Sequence, residues 1–212
     1  MSQEIPAHLK VWQDRIAVMF LVREEMRRLD TLGLNEYFYP ELAATEEQLV
    51  AVETHLGEPL NSGYRDFLLC ANGWRGFFFS LQLFGTEDLM GSKLMNLALE
   101  ALGYVDDAMP LFKDLGFAKE DLLPIAASFI ERQMHVITRS TSHQPGKIIW
   151  FDCGEVESYL SFEDYFLAMT DYNREDLKDL PEQIESTLAA IELDKAQKGK
   201  WLGGLLGRGR SK

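Results

Sequence analysis

The segment from Thr45 to Phe84 constrains the fold more than any other part of the chain. Thr45 followed by Gln48 three residues later is typical of a capping box, in which two side chains satisfy the free N–H groups at a helix start. Gly57 favours the left-handed backbone that ends a helix, and Pro59 cannot continue one. The pattern therefore predicts a helix that begins after Thr45 and ends at Gly57.

A second helix and a strand follow in the same segment. Apolar residues recur at helical spacing and predict one buried face. The residues of this face are Tyr64, Phe67, Leu68 and Ala71. Asn72-Gly73 predicts the end of the helix because both residues tolerate positive φ. Three consecutive Phe residues and the alternation after them predict one strand over residues 77–84.

Charge is distributed unevenly along the chain, which carries a formal net charge of −13. Residues 155–194 contain twelve acidic and two basic residues, whereas residues 195–212 contain six basic and no acidic ones. Such a chain is a poor candidate for direct nucleic-acid binding, since phosphates require clustered Lys and Arg. Binding to a basic protein is one interpretation of the acidity, and solubility alone is the other.

Length and composition favour one domain with extensions in a reducing, cytoplasmic compartment. The chain has 212 residues, and its two cysteines, Cys70 and Cys153, cannot build a disulfide framework. Early charged residues and a short apolar run at residues 16–22 argue against a signal peptide. Apolar runs stay below the roughly 18 residues of a membrane span, so none is expected.

The remaining patterns predict helices around a group of strands. Helices are expected over residues 9–32 and 92–102, and Ser161 with Asp164 predicts the start of another. Strands are expected over residues 122–126, 133–139 and 147–152, and the polar turn between the last two predicts a hairpin. Because regular βαβ alternation is missing, the pattern favours the α+β class.

Composition divides the chain into four expected segments. These are an N-terminal helical extension over residues 1–42, a domain over residues 43–172, an acidic helix over residues 173–198 and a flexible basic Gly-rich tail over residues 199–212. A break of the acidic helix at Pro181 is left open. The tail also leaves two other interpretations open, contact with an anionic membrane and contact with the acidic helix beside it.

Four motifs carry a resemblance to a known family. They are the helix over residues 44–57 with Leu60, Tyr64, Phe67, Leu68 and Asn72-Gly73; residues 85–89; residues 123–126; and residues 146–151 with residues 161–166. In this order they resemble the SUKH superfamily, which includes the Smi/Knr cell-wall regulators of fungi and many bacterial immunity proteins. The resemblance covers residues 43–170. Asn61 stands where the family often has Pro, and Asn is also a good N-cap.

The resemblance implies a mixed, mainly antiparallel sheet packed against helices, and function by protein–protein contact. Bacterial members often neutralise a toxin domain encoded nearby, commonly a nuclease or another nucleic-acid-modifying enzyme. The leading hypothesis is therefore an immunity-type protein whose partner is a basic toxin domain. The fungal members suggest the alternative of a regulatory or scaffold module. A hydrolase with an unrecognised carboxylate site is a third hypothesis.

Candidate catalytic or metal-ligating residues form no recognisable site in the sequence. The histidines are His8, His55, His135 and His143, and none is spaced with another His or Cys as metal ligands are. Cys153 is a candidate reactive thiol without a neighbouring His. Glycines of residues 204–209 have the spacing of a phosphate loop but follow no strand. The sequence therefore predicts no cofactor, no metal and no enzymatic activity.

The candidate partner-binding residues are one aromatic residue and four carboxylates. They are Trp74, Glu155, Glu157, Glu163 and Asp164. Tryptophan is enriched at binding hot spots, and the carboxylates belong to the acidic segment. The oligomeric state is left open.

Overall fold

The structure, a computed structural model, describes residues 5–108, 115–130, 133–151 and 155–207. The helices are α1 (Ala7–Leu29), α2 (Glu46–Leu56), α3 (Ser62–Leu68), α4 (Thr86–Leu89), α5 (Lys93–Ala108) and α6 (Phe162–Gly207), with a 3-10 turn over Lys119–Asp121. The strands are β1 (Trp74–Phe78), β2 (Leu81–Leu83), β3 (Leu122–Ala127), β4 (Met134–Thr138), β5 (Ile148–Phe151) and β6 (Glu155–Tyr159).

The strands form one six-stranded sheet in the order β1-β2-β3-β4-β5-β6. Each strand pairs antiparallel with the next one along the chain. The α+β class is therefore confirmed, and every pairing between described strands is antiparallel. The predicted hairpin is confirmed as β4–β5, in which His135 lies opposite Trp150.

Local signals at the helix ends are confirmed. The Thr45 hydroxyl accepts from the Gln48 amide at 3.3 Å, and the Gln48 side chain accepts from the Thr45 amide at 2.8 Å. Gly57 ends α2 with a φ of 74°. The Asn61 side chain accepts from the Tyr64 amide at 3.2 Å, so Asn61 caps the start of α3.

One strand prediction is wrong in detail, and one strand was not predicted. Residues 77–84 form the end of β1, a turn and β2, because Phe78 pairs with Leu81 and the chain reverses between them. Phe79 makes this turn with a φ of 45°. Positive φ is uncommon for residues other than glycine, so the sequence does not predict this conformation. β6 was not predicted, since its alternating carboxylates are typical of an exposed segment.

An aromatic cluster joins the N-terminal extension to the rest of the fold. The Trp12 ring of α1 lies 5.5 Å from the Phe162 and Phe166 rings of α6 and 6.0 Å from the Phe67 ring of α3, centroid to centroid. All four side chains are buried. Burial of such large apolar surfaces is the main favourable term in folding, so α1 is part of the core.

α6 is continuous through Pro181 and reaches Gly207. Its last buried residue is Leu180, and from Pro181 onward no described side chain is buried. The expected boundaries at residues 172 and 198 therefore lie inside one helix. Flexibility of the basic tail stays a prediction.

Candidate interaction surface

We name residues 155–164 the acidic edge, which comprises β6, a two-residue connector and the start of α6. β6 pairs with β5 and is the last strand of the sheet, so its other side has no partner among the described strands. Leu160, in the connector, is 84% exposed. A strand edge and an apolar side chain therefore lie beside each other on this segment.

Glu157 is held between two tyrosines. Its carboxylate accepts hydrogen bonds from the hydroxyl of Tyr159 at 2.7 Å and from that of Tyr172 at 2.5 Å. The hydrogen bond to Glu157 raises the pKa of Tyr172, and burial together with Glu157 raises the pKa of Tyr159. Both phenols therefore stay protonated as donors, and Glu157 ties β6 to α6 as well as contributing charge.

The carboxylates at the start of α6 are exposed and also paired. Glu163 forms an ion pair with Arg15, whose guanidinium lies 5.1 Å from the centroid of the Trp12 ring. Asp164 accepts from the Ser161 hydroxyl at 2.7 Å, and its amide donates back to that hydroxyl at 3.1 Å. The helix start predicted at Ser161 is thus confirmed, and Asp164 stabilises it.

For Glu155 the structure gives the strand position, opposite Phe151 on β5. The four predicted carboxylates therefore lie on one short stretch of chain, which runs along the β6 edge of the sheet and into α6. Trp74 lies elsewhere, on β1 at the other edge.

Trp74 is 1% exposed, and its indole N–H donates to the Phe38 carbonyl at 2.9 Å. Residues 36–41 cover it: the Glu41 amide donates to the Gly73 carbonyl at 3.0 Å, and the Arg75 guanidinium lies 4.4 Å from the Phe38 ring centroid. The sequence could not reveal this cover because it comes from a distant segment. Trp74 is a core residue here and is left out of the candidate surface.

An apolar groove between α1 and α6 adjoins the acidic edge and was missed in the sequence. Its apolar wall consists of the exposed side chains of Val11, Val18 and Leu167, and its volume is about 450 Å³. Arg15 lines this groove and also pairs with Glu163, so the two features are contiguous. The seven-residue spacing of Val11 and Val18, which places both on one helix face, was the available signal.

A smaller cavity of about 150 Å³ lies between the α2–α3 turn and the β4–β5 hairpin. At its wall, Glu58 accepts from Arg139 Nη1 at 2.6 Å and from the Ser140 amide at 3.1 Å. Burial would raise the pKa of Glu58, but the bonds from Ser140 and Arg139 outweigh it and hold the pKa below its usual value. Glu58 is therefore a paired carboxylate that joins two loops, unlike a general acid, which needs a raised pKa.

Three of the described His and Cys side chains, those of His135, Cys70 and His143, contact other parts of the fold. His135 is buried, its Nδ1 lies 2.7 Å from the Tyr165 hydroxyl, and burial lowers its pKa to about 3. Burial, with a contribution from Asp66, raises the pKa of the Cys70 thiol to about 11, so this half-buried thiol is not activated. His143 stacks on Phe117 at 4.4 Å. Cys153 lies outside the described residues.

Within the described ranges, no three His, Cys, Asp or Glu side chains come together as metal ligands would. No helix in that same part of the chain combines the length and apolarity needed to cross a bilayer.

The fold is an α+β fold with one six-stranded antiparallel sheet. The profile of the SMI1 / KNR4 family (SUKH-1) matches residues 43–168, and the chain belongs to this family. Membership supports an immunity or regulatory role, and the family is generally non-enzymatic. No curated protein matches the chain.

A solved structure described as a protein from Pseudomonas syringae pv. tomato is similar to this chain. The two share 19% sequence identity with a TM-score of 0.40, over 68% of this chain and 92% of that one.

Proposed function

We propose that this protein is an immunity-type protein that binds a cognate toxin and neutralises it by covering its active surface. Membership of the SMI1 / KNR4 family carries the proposal, because the family supports immunity or regulation through a protein partner. The partner we propose is a basic toxin domain, a nuclease or another nucleic-acid-modifying enzyme, encoded near this chain. In this function the protein acts in the cytoplasm and catalyses nothing itself.

The acidic edge is the surface we propose for the toxin. Glu155, Glu157, Glu163 and Asp164 lie there on consecutive elements, and Glu163 and Asp164 are exposed. A toxin that acts on nucleic acid presents cations to phosphate, and clustered carboxylates attract the same cations. The exposed Leu160 in the middle of the edge supplies apolar area that charge alone does not.

A regulatory or scaffold role is the second candidate, and the groove between α1 and α6 favours it. Apolar side chains and paired ions line this groove, which is the surface character that suits an amphipathic helix of a cellular partner. This role requires neither a toxin nor an acidic contact.

Co-expression separates the two functions. The C-terminal domain of the secreted protein encoded beside this chain is expressed with and without it, and growth and co-purification are measured. The immunity function predicts restored growth and a stable complex. No rescue together with no complex would remove it and leave the regulatory function.

The surface is tested on the same complex by stopped-flow association at low and high salt. Glu155→Lys with Glu163→Lys is expected to slow association about tenfold at low salt, because electrostatic steering is lost. Glu87→Lys with Glu100→Lys makes the same charge change at exposed positions of α4 and α5 and serves as the matched control. Equal association rates for the two variants would exclude the acidic edge while leaving the immunity function intact.

A further inference from the structure

The second half of α6, residues 181–207, continues past the helix that the first half packs against. Three contacts occur in the same order along both helices, so α1 and α6 run parallel. They are Trp12 with Phe166, Met19 with Thr170 and Arg23 with Asn173. α1 ends at Leu29, and from Pro181 onward no described side chain of α6 is buried. Most helices gain stability by packing an apolar face, so the second half is suited to binding a partner.

A stripe of apolar side chains on the second half lies on the same side of α6 as the groove between α1 and α6. The stripe consists of Ile184, Leu188 and Ile191, and Leu188 is 44% exposed. Residues separated by seven or fourteen positions lie close to one helix face. Ile184 and Ile191 therefore continue the line of Thr170, and Leu188 continues the line of Arg174. Thr170 and Arg174 both line the groove.

We propose that the stripe of each α6 fills the groove between α1 and α6 of a second copy of this chain. Because the stripe and the groove lie on one side of the same helix, an antiparallel pair with a two-fold axis near residues 179 and 180 fills both grooves at once. The numbers of facing residues on the two copies of α6 then sum to about 359. The same surface of each copy is used, as a two-fold interface requires.

This register sets apolar side chains against each other. Leu188 of one copy lies level with Thr170 and Asp171 of the other. Val18 lies at this level too, because the adjacent Met19 contacts Thr170. Exposed apolar side chains of both copies are thereby covered, which favours association. They are Val18, Leu167, Leu188 and Ile191.

The same register also makes the charges complementary. Glu185 lies fourteen residues after Asp171, which lines the groove, and it faces Arg174 of the other copy. Arg174 bonds to Asp171 through one nitrogen at 2.6 Å, and a guanidinium has further N–H donors for Glu185. Lys195 lies level with Glu163. The pairing does not depend on the immunity function, and it fills the groove that the regulatory candidate assigns to a cellular partner.

Cysteine cross-linking of the full chain tests the register. V18C/L188C is expected to form a covalent dimer under mild oxidation, because the two positions are neighbours across the interface. Within one chain they lie about 27 Å apart along α6, which is too far for a disulfide. V18C alone and L188C alone retain the native cysteines and are the matched controls. Neither should form this dimer, since the axis separates identical positions by roughly 25 Å.

Sedimentation velocity at about 300 µM protein measures the association itself, and the wild type is expected to be a dimer. The contact between residues 174 and 185 occurs twice, so R174E and E185R are each expected to weaken the dimer roughly tenfold. R174E/E185R should restore it, because each carboxylate again faces a guanidinium. K93E and E100R make the same charge changes at exposed positions of α5 and should dimerise as the wild type does.

Three results would overturn the pairing. They are a wild type that stays monomeric at that concentration, a V18C/L188C variant that cross-links no more than the single variants, and a double charge variant that dimerises no better than the single ones. A groove that takes a helix of a cellular partner instead of a second copy gives the first result. Failure of growth rescue in the co-expression assay removes the immunity function and leaves the pairing intact.

Discussion

The two halves of α6 form one continuous helix in two different environments. From Phe162 to Leu180 the helix buries an aromatic face in the core, whereas beyond Pro181 no described side chain is buried. The first half is stabilised by packing, and the second half depends on its own backbone bonds, its charges and any partner. The difference shows that one continuous helix can be held by the core at one end and be exposed at the other.

Truncating one apolar side chain in each half of α6 is expected to give the largest difference in the free energy of unfolding. Phe166→Ala should lower the free energy of unfolding by about 3–5 kcal/mol, because Phe166 is fully buried against Trp12 and Phe67. Leu188→Ala should change it by less than about 0.5 kcal/mol. Chemical denaturation of dilute protein measures both, and comparable losses would contradict the distinction.

The two halves of α6 can also be compared by removing a polar side chain from each, and Asn173 is the buried one. Its side chain accepts from Arg23 Nη1 at 2.8 Å and donates to the Met169 carbonyl at 2.8 Å, all within the interior. Asn173→Ala leaves the buried Arg23 without one of its partners and should destabilise by about 1–3 kcal/mol. Gln183→Ala, at an exposed position in the second half of α6, is the matched control and should be nearly neutral. Equal stabilities of the two variants would refute this role of Asn173.

Asp176 gives a smaller, pH-dependent contrast. Burial raises its pKa to about 6, and the nearby Asp179 adds to the increase. An unfolded Asp titrates near pH 3.9, so between about pH 4 and 6 the folded state retains a proton that the unfolded state has lost. Wild-type stability attributable to this group therefore falls as pH rises through that window.

Asp176→Asn is accordingly expected to stabilise the protein by about 1 kcal/mol at pH 7, a figure reduced by solvent screening of the half-exposed carboxylate. At pH 4 the gain should vanish. Thermal unfolding at both pH values measures the difference, and an equal gain at pH 4 would show that titration is not its source.

The smallest expected effect on the core comes from Pro181, where the two halves meet. Proline lacks the amide that would bond to the carbonyl four residues earlier, so Pro181→Ala should raise the helicity of the second half of α6. Amide hydrogen exchange over residues 182–198 should slow, while the unfolding free energy of the core changes by less than about 0.5 kcal/mol. A large increase in core stability would mean that the halves are coupled.

Features with a local cause could be predicted from the sequence. The capping box at Thr45, the left-handed Gly57 and the start of α6 at Ser161 depend on neighbouring residues, and the structure contains all three. The resemblance to the family was recognised from the same kind of local signal, namely helix starts, helix ends and turns. The profile match to residues 43–168 confirms the resemblance.

Features that depend on residues far apart in the chain could not be predicted from the sequence. Phe79 turns the chain because strand pairing on both sides requires it, and Trp74 is buried because residues 36–41 lie over it. The edge carboxylates were found by charge alone. Their roles in pairing with Arg15 and the tyrosines depend on segments that meet only in the folded chain.

The cover that residues 36–41 place over β1 has a consequence for how the molecule tolerates high concentration. A sheet whose two edge strands are both unpaired can add another molecule at each edge, and repeated addition produces a fibre. Here residues 36–41 lie against Trp74 and Gly76 of β1 and occupy space that an added strand would need. A neighbouring molecule therefore has freer access to the β6 edge than to the β1 edge.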